Sequence, residues 1–154
     1  MKIDLLHLKQ EQDHTCVPAC IRIVFHHLGF VFSEAQICAA CKTTALGTDQ
    51  NEAAEGITLL GFKATMLKGA EFNVVAQSLR QGRPVIVFLS VNDLPYGGYA
   101  GLHAVVVNGV GKNEVSFVDP SRGEEIAIDL KTFLKAWQAR GCRCLLIESS
   151  IENS

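Results

Sequence analysis

A cysteine and a histidine in this sequence have settings that suit nucleophilic catalysis. Cys16 stands at the start of an apolar pattern of helical period, where unpaired backbone N–H groups and the positive end of the helix dipole favour a thiolate. His103 begins a predicted strand directly after a glycine-rich loop at residues 96–101, which lets its ring point into an open cleft. A thiolate beside an imidazole can attack an acyl carbon, and the imidazole can then protonate the departing group.

Asp119 is the candidate for the carboxylate that orients the histidine. If the two strands around it form a hairpin that turns at residues 111–113, His103 lies opposite residues 119–121, within about one rung of Asp119. A carboxylate at that position can hold one tautomer of the imidazole. The Asp-Pro sequence also suits the start of a turn, and the two roles are compatible.

The attack of a thiolate also requires hydrogen-bond donors for the developing oxyanion. The backbone N–H of Cys16 at the helix start can supply one donor. The side-chain amide of Gln10 or of Gln12 can supply another, although a solvated loop position is the usual setting for either glutamine.

Helical patterns dominate the first half of the chain, and strand patterns dominate the second. We predict helices over 16–28, 34–41 with a capping box from Ser33 and Gln36, 49–60 capped by Thr48, 71–80 and 130–140 capped by Asp129, and strands over 62–66, 84–91, 102–110, 114–119, 124–128 and 143–148. This order indicates an α+β domain, in which an N-terminal helical layer packs on a mostly antiparallel C-terminal sheet with the active site between the layers.

Length and composition indicate one domain that covers residues 1–154, since the chain is 48% hydrophobic. A formal net charge of −2 gives no broad basic field, so we expect no nucleic-acid partner. Residues 1–14 lack the apolar stretch of a secretory signal, and the longest apolar run, at 84–91, is too short for a membrane span. We therefore expect a cytoplasmic protein whose six cysteines are mostly free thiols.

Several of these residues occur together in a familiar order. The segments are Gln10, Cys16-Val17-Pro18-Ala19-Cys20, Gly101-Leu102-His103-Ala104-Val105-Val106-Val107 and Val118-Asp119-Pro120. Together they resemble the C39 peptidases, papain-like cysteine peptidases of the bacteriocin-processing type, and residues 47–61 are similar to the family's middle helix. The resemblance implies the papain-like fold, cysteine endopeptidase activity without cofactor or metal, and a glutamine six residues before the nucleophile as oxyanion donor. The implied catalytic residues are Cys16, His103, Asp119 and Gln10.

The resemblance also implies a substrate class. Members typically cut leader peptides after a Gly-Gly pair, usually as the N-terminal cytoplasmic domain of an ABC transporter. We expect a stand-alone domain with no transporter domain after it, which takes a peptide or leader-peptide substrate and either serves a different peptide or acts beside a separate ABC transporter. The chain departs from the family at Val17, where many members carry glycine, and we expect this β-branched residue to narrow the cleft or change which acyl groups fit.

Other interpretations of the cysteines compete with catalysis. Cys38 and Cys41 have CxxC spacing, and a second pair at residues 142 and 144 could complete a structural zinc site with four thiolates. Apolar neighbours on the helix and a shared strand face favour packing for both pairs. Cys20, one helical turn beyond Cys16, fits a core position better than the role of a resolving thiol.

The proposed cleft itself allows two alternatives to hydrolysis. A binding module could keep the fold and recognise leader peptides without turnover, although the intact Cys, His and Asp set argues against it. An acyltransferase or deamidase could form the same acyl-enzyme and pass the acyl group to an amine.

Overall fold

A single six-stranded sheet organises the fold, and all its neighbouring strands are antiparallel. The computed structural model describes residues 2–96 and 102–150. Its elements are α1 Cys16–His27, α2 Glu34–Ala40, α3 Gln50–Leu59, β1 Phe62–Leu67, α4 Phe72–Arg80, β2 Val85–Ser90, β3 Leu102–Val110, β4 Glu114–Asp119, β5 Glu124–Asp129, α5 Leu130–Gln138 and β6 Cys144–Ser149. The strand order is β1-β6-β2-β3-β4-β5, so the strands that carry His103 and Asp119 are neighbours.

Helices cover both faces of this sheet. One hydrophobic core lies between the sheet and α1, α2 and α3, which confirms the predicted N-terminal helical layer. A second core lies on the opposite face, beneath α4 and α5, where the prediction placed no separate layer. All six residues of β2 are buried, because this central strand packs apolar side chains into both cores. No helix within the described ranges has both the length and the apolar character needed to cross a bilayer.

Local capping signals set most of the element boundaries. Gly29, with φ of 94°, follows the end of α1 as predicted. Both hydrogen bonds of the capping box that begins α2 are present. The prediction for α3 was wrong at its first residue: Asp49 caps the helix by accepting from two backbone N–H groups, whereas the Thr48 hydroxyl is hydrogen-bonded to Thr43.

The hairpin between β3 and β4 sets the distance between the two proposed catalytic side chains. Val106 pairs with Val118, and continuing this register places His103 opposite Ser121, at the far end of the predicted range. Asp119 is therefore two positions along the strand from the residue opposite His103, whereas the hairpin prediction placed it within about one. The register shifts at a bulge between Val107 and Gly109, which adds one residue to β3.

The helical layer depends on a close approach of α2 and α3 at Gly56. A Cβ atom at this position would lie 2.6 Å from the Cys41 Sγ and 2.8 Å from the carbonyl carbon and oxygen of Ala40. Because two of these atoms belong to the backbone, the space cannot be opened by rotating a side chain. A glycine is therefore required at the crossing of these helices.

We expect Gly56→Ala to lower the free energy of unfolding by about 2 kcal/mol, because the added methyl group forces the two helices apart. Urea denaturation followed by circular dichroism measures this change. Gly111→Ala is the matched control, since its Cβ would meet only ordinary contacts of 3.7 Å or more. Equal stability of the two variants would show that the crossing can adjust without cost.

Candidate active site

The helix that carries the proposed nucleophile begins directly after a tight turn. The Thr15 hydroxyl accepts from the Gln12 N–H at 3.1 Å and donates to the Gln12 carbonyl at 2.9 Å. This turn makes Cys16 the first residue of α1, and its side chain is half-buried. The Thr15 side chain makes no capping bond, so it does not occupy the N–H groups of the first helical turn.

His103 and Asp119 form a buried hydrogen-bonded pair. The imidazole Nε2 lies 2.6 Å from Asp119 Oδ1, and the two side chains are 11% and 0% exposed. Burial lowers the pKa of His103, but hydrogen bonds to Asp119 and Cys16 and the charges of both residues outweigh it, so that the pKa rises to about 9. Because Nε2 is occupied by the carboxylate, Nδ1 is the ring atom left for the Cys16 thiol. The structure therefore brings His103 and Asp119 into direct contact, and Cys16 lies close enough to affect the pKa of the same imidazole.

The Asp119 carboxylate has hydrogen-bond donors on both oxygens. Oδ1 accepts from the Ser121 backbone N–H at 2.9 Å and from its hydroxyl at 2.7 Å, besides the imidazole. Oδ2 accepts from the Tyr96 hydroxyl at 2.5 Å. Burial alone would raise the pKa of Asp119. The hydrogen bond and the charge of His103, together with hydrogen bonds from Tyr96 and Ser121, instead lower this pKa to about 2. The backbone bond to Ser121 is also the turn expected of an Asp-Pro sequence.

Sequence reasoning missed Tyr96 as a partner of the carboxylate. It marked this residue only as the first of a glycine-rich loop, of which residues 97–101 lie outside the described part of the chain. Tyr96 is half-buried, and the Arg122 guanidinium lies 5.0 Å from the centre of its ring. Nothing in the residue pattern gives the path of the chain between β2 and β3, so this contact had no sequence signal.

Gln10 lies beside the end of β4, since its backbone N–H donates to the Pro120 carbonyl at 2.8 Å. Its side-chain Nε2 donates to the carbonyls of Gln12 at 2.7 Å and Asp13 at 3.1 Å, and its Oε1 is buried without a described hydrogen-bond partner. In this conformation the Gln10 amide holds the loop that precedes Cys16. The Gln12 side chain is exposed, which makes it the weaker candidate of the two.

A second side chain that the sequence did not suggest also holds this loop. Glu34, in the first turn of α2, is 2% exposed, and its Oε2 accepts from the Glu11 N–H at 2.9 Å. Its Oε1 is buried and has no hydrogen-bond partner among the described residues. Glu34 thus connects the helical layer to the segment between Gln10 and Cys16.

The remaining cysteines have structural positions. Cys41 belongs to the core beneath α1–α3, and Cys144 belongs to the core on the other face of the sheet, so the two pairs do not converge on one metal ion. No cluster of three or more possible ligands occurs within residues 2–96 and 102–150. Cys20 is fully buried, and this burial, together with nearby negative charge, raises the pKa of its thiol well above the usual value.

Val17 does not form an exposed wall of the cleft. Its side chain is 4% exposed and lies in the core beneath α1–α3. The expectation that a β-branched residue here narrows the cleft is therefore not supported by its position. In this chain Val17 contributes to the packing that holds α1 on the sheet.

Comparison with known proteins gives a consistent result. The Peptidase_C39 like family matches residues 2–145. Among solved structures, the peptidase domain of Streptococcus ComA, a bi-functional ABC transporter involved in a quorum sensing pathway, aligns with a TM-score of 0.78 and 23% identity over 95% of this chain and 98% of that chain. A double glycine motif protease from an AMS/PCAT transporter, in complex with the leader peptide, aligns with a TM-score of 0.73 and 16% identity over 97% and 94%. No curated protein sequence matches the chain. Because both sequence identities are below 25%, the structural similarity establishes the fold of this chain and nothing more.

The His103–Asp119 pair should make stability depend on pH. Because the folded-state pKa of His103 is about 9, above its ordinary 6.5, its contribution is complete below pH 6.5 and is lost as the pH rises through 9. We expect the free energy of unfolding to fall by on the order of 2 kcal/mol between pH 6 and 8.5, measured by urea denaturation at each pH.

Asp119→Asn should reduce this fall strongly, because the neutral amide no longer favours the imidazolium. Glu124→Gln serves as the control, since the Glu124 side chain is 58% exposed and pairs with Arg122 at the surface. A full pH-dependent fall in Asp119→Asn would mean that the pair does not raise the pKa of His103.

Proposed function

Because the chain belongs to the Peptidase_C39 like family, we propose that it is a cysteine endopeptidase in which Cys16 is the nucleophile, His103 the base and acid, and Asp119 the orienting carboxylate. Membership of this family supports a peptidase or a leader-peptide-binding role. The observation that favours turnover is the buried His103–Asp119 bond through Nε2, with Nδ1 left for the thiol at the start of α1. A module that only binds peptides has no need of this arrangement.

The proposed reaction begins from a thiolate on Cys16 and an imidazolium on His103. The thiolate attacks the peptide carbonyl carbon, and the developing oxyanion accepts hydrogen bonds from the Cys16 backbone N–H and from Gln10. When the tetrahedral intermediate collapses, the C–N bond breaks and the departing amine takes the proton from His103. The neutral imidazole then removes a proton from water, which attacks the thioester and releases the acid and the thiolate.

Gln10 has to redirect one N–H in order to act as an oxyanion donor. Its bond to the Asp13 carbonyl, at 3.1 Å, is longer than its bond to the Gln12 carbonyl, at 2.7 Å, so it is the easier of the two to give up. The shorter bond can keep the amide beside the loop while the other N–H turns toward the substrate. Gln10 then serves both the loop and the reaction.

The substrate in this proposal is a leader peptide cut after a Gly-Gly pair. The similar solved structures support it, since one is named a double glycine motif protease in complex with a leader peptide and another is the peptidase domain of an ABC transporter. We accordingly propose that the domain acts in the cytoplasm and works beside a separate ABC transporter.

Cys16→Ala should abolish cleavage, because it removes the thiol that the proposal places beside His103 to attack the carbonyl. The measurement uses a peptide library that contains Gly-Gly leaders and the same leaders with Ala-Ala, with products identified by mass spectrometry. Covalent labelling of residue 16 by a thiol-directed acyl probe should disappear in the same variant.

Cys142→Ala is the control, since this thiol is also half-buried and packs at the edge of the other core. Cleavage that persists in Cys16→Ala would refute the assignment of the nucleophile. Wild-type protein that binds the leader but releases no fragment would favour the binding module, and transfer of the acyl group to an added amine in place of hydrolysis would favour the acyltransferase.

Gln10→Ala should lower kcat by about 10²-fold, the usual effect of removing one oxyanion donor. The stability of the variant is measured in parallel by thermal unfolding, because the amide also holds the loop before Cys16. Glu34→Gln is the control for loop stability, since its amide oxygen can still accept from the Glu11 N–H. An unchanged kcat in folded Gln10→Ala would remove Gln10 from the oxyanion site.

A further inference from the structure

The donors around the Asp119 carboxylate are divided unequally between its two oxygens. Oδ1 accepts from the imidazole of His103 and from both donors of Ser121, whereas Oδ2 accepts from the Tyr96 hydroxyl at 2.5 Å. Tyr96 therefore reaches the side of the carboxylate that faces away from the imidazole contact. The Tyr96–Asp119 bond has no part in the reaction proposed above.

The direction of the bond follows from the chemistry of the two groups. An ionised carboxylate can only accept hydrogen bonds, so the phenol must be the donor. Burial, the bond to Asp119 and its negative charge all raise the pKa of Tyr96, and the nearby Arg122 opposes them only weakly. Tyr96 thus keeps its proton throughout the range in which the enzyme would work.

We propose that Tyr96 is a positioning residue that shares the Asp119 carboxylate with His103 and thereby limits how strongly this carboxylate holds the imidazolium proton. Two donors on one carboxylate compete for the same negative charge, so each bond weakens the other. The consequence for catalysis rests on the proposed peptidase function: an imidazolium held less tightly gives its proton more readily to the departing amine.

Orientation of the carboxylate is the competing role for the phenol, and the structure argues against it. The backbone N–H and the hydroxyl of Ser121 already fix Oδ1 at 2.9 and 2.7 Å. Loss of the phenol removes one of several causes that lower the pKa of Asp119, and the bonds from His103 and Ser121 that remain keep the carboxylate ionised near neutral pH. The remaining effect of the Tyr96 phenol is therefore to share the negative charge of Asp119 with His103.

Several other groups influence the titration of His103 and have to be controlled. The titratable and charged groups around the pair are Cys16 and Cys20 from α1, Asp119 from β4, Tyr96 from the segment before β3, and Arg122 from the turn after β4. Of these, Cys16 acts on the pKa of His103 through both its polarity and its charge, so the titration is best done in Cys16→Ala. This background also makes the measurement independent of any enzymatic activity.

The test is an NMR titration of the His103 ring in protein labelled with ¹³C-histidine, comparing Cys16→Ala with Cys16→Ala/Tyr96→Phe. We expect the phenylalanine to raise the pKa of His103 by about 0.3 to 1 unit, since the carboxylate then interacts more strongly with the imidazolium. An unchanged or lower pKa of His103 would overturn the proposal. Failure of the peptidase assignment would leave this result intact.

Incorporation of 3-fluorotyrosine in a Tyr99→Phe background labels Tyr96 alone, since the chain has two tyrosines, and makes its phenol a stronger donor at nearly unchanged size. The pKa of His103 should then fall, and this opposite sign decides the question if Tyr96→Phe does not fold. In active protein, the upper pH limit of kcat/KM should move in the same direction and by the same amount as the pKa of His103 in each variant.

Discussion

The buried carboxylate of Asp119 is the group on which the rest of the site depends. An ion without solvent exposure is costly to bury, and the cost is offset only when hydrogen bonds and an opposite charge surround it. Here the imidazole, the Ser121 turn and the Tyr96 hydroxyl provide these contacts, and each comes from a different stretch of chain near the start of β3 or the end of β4. The same group that must be satisfied for folding is therefore the group that gives His103 its affinity for a proton.

The two halves of the site are held by different kinds of interaction. His103 and Asp119 lie on central strands of a sheet that is packed on both faces, so backbone ladders and two cores fix them. Cys16 follows a loop that is fixed by a few polar contacts from Gln10, Thr15 and Glu34. Cys16 lies where this loop meets α1, so its position depends both on these polar contacts and on the packing of α1 against the sheet.

Sequence periodicity predicted nearly every element, because apolar spacing and caps are local signals. The bulge at Val107–Gly109 shows where local reasoning stops: a hairpin turn predicts a register, but an extra residue that bends one strand depends on its neighbours across the sheet. The helical pattern predicted that α4 and α5 exist. It could not predict that they pack on the second face of the sheet, because this depends on the order in which the strands pair. The contacts of Tyr96 and Glu34 were missed for the same reason, since each joins segments that are distant in the sequence.

The six cysteines show why position in a helix is not sufficient to identify a nucleophile. Burial raises the pKa of Cys41 to about 12 and that of Cys144 to about 11, and it raises those of Cys20, Cys38 and Cys142 as well. These five thiols are therefore kept protonated by the same hydrophobic packing that holds the fold together. Cys16 differs in its surroundings, because it lies at a helix start and close to an imidazole whose proton a buried carboxylate holds. In the proposed mechanism, Cys16 is thus distinguished from the other five thiols by the neighbouring ion pair, which the fold assembles from strands in the second half of the chain.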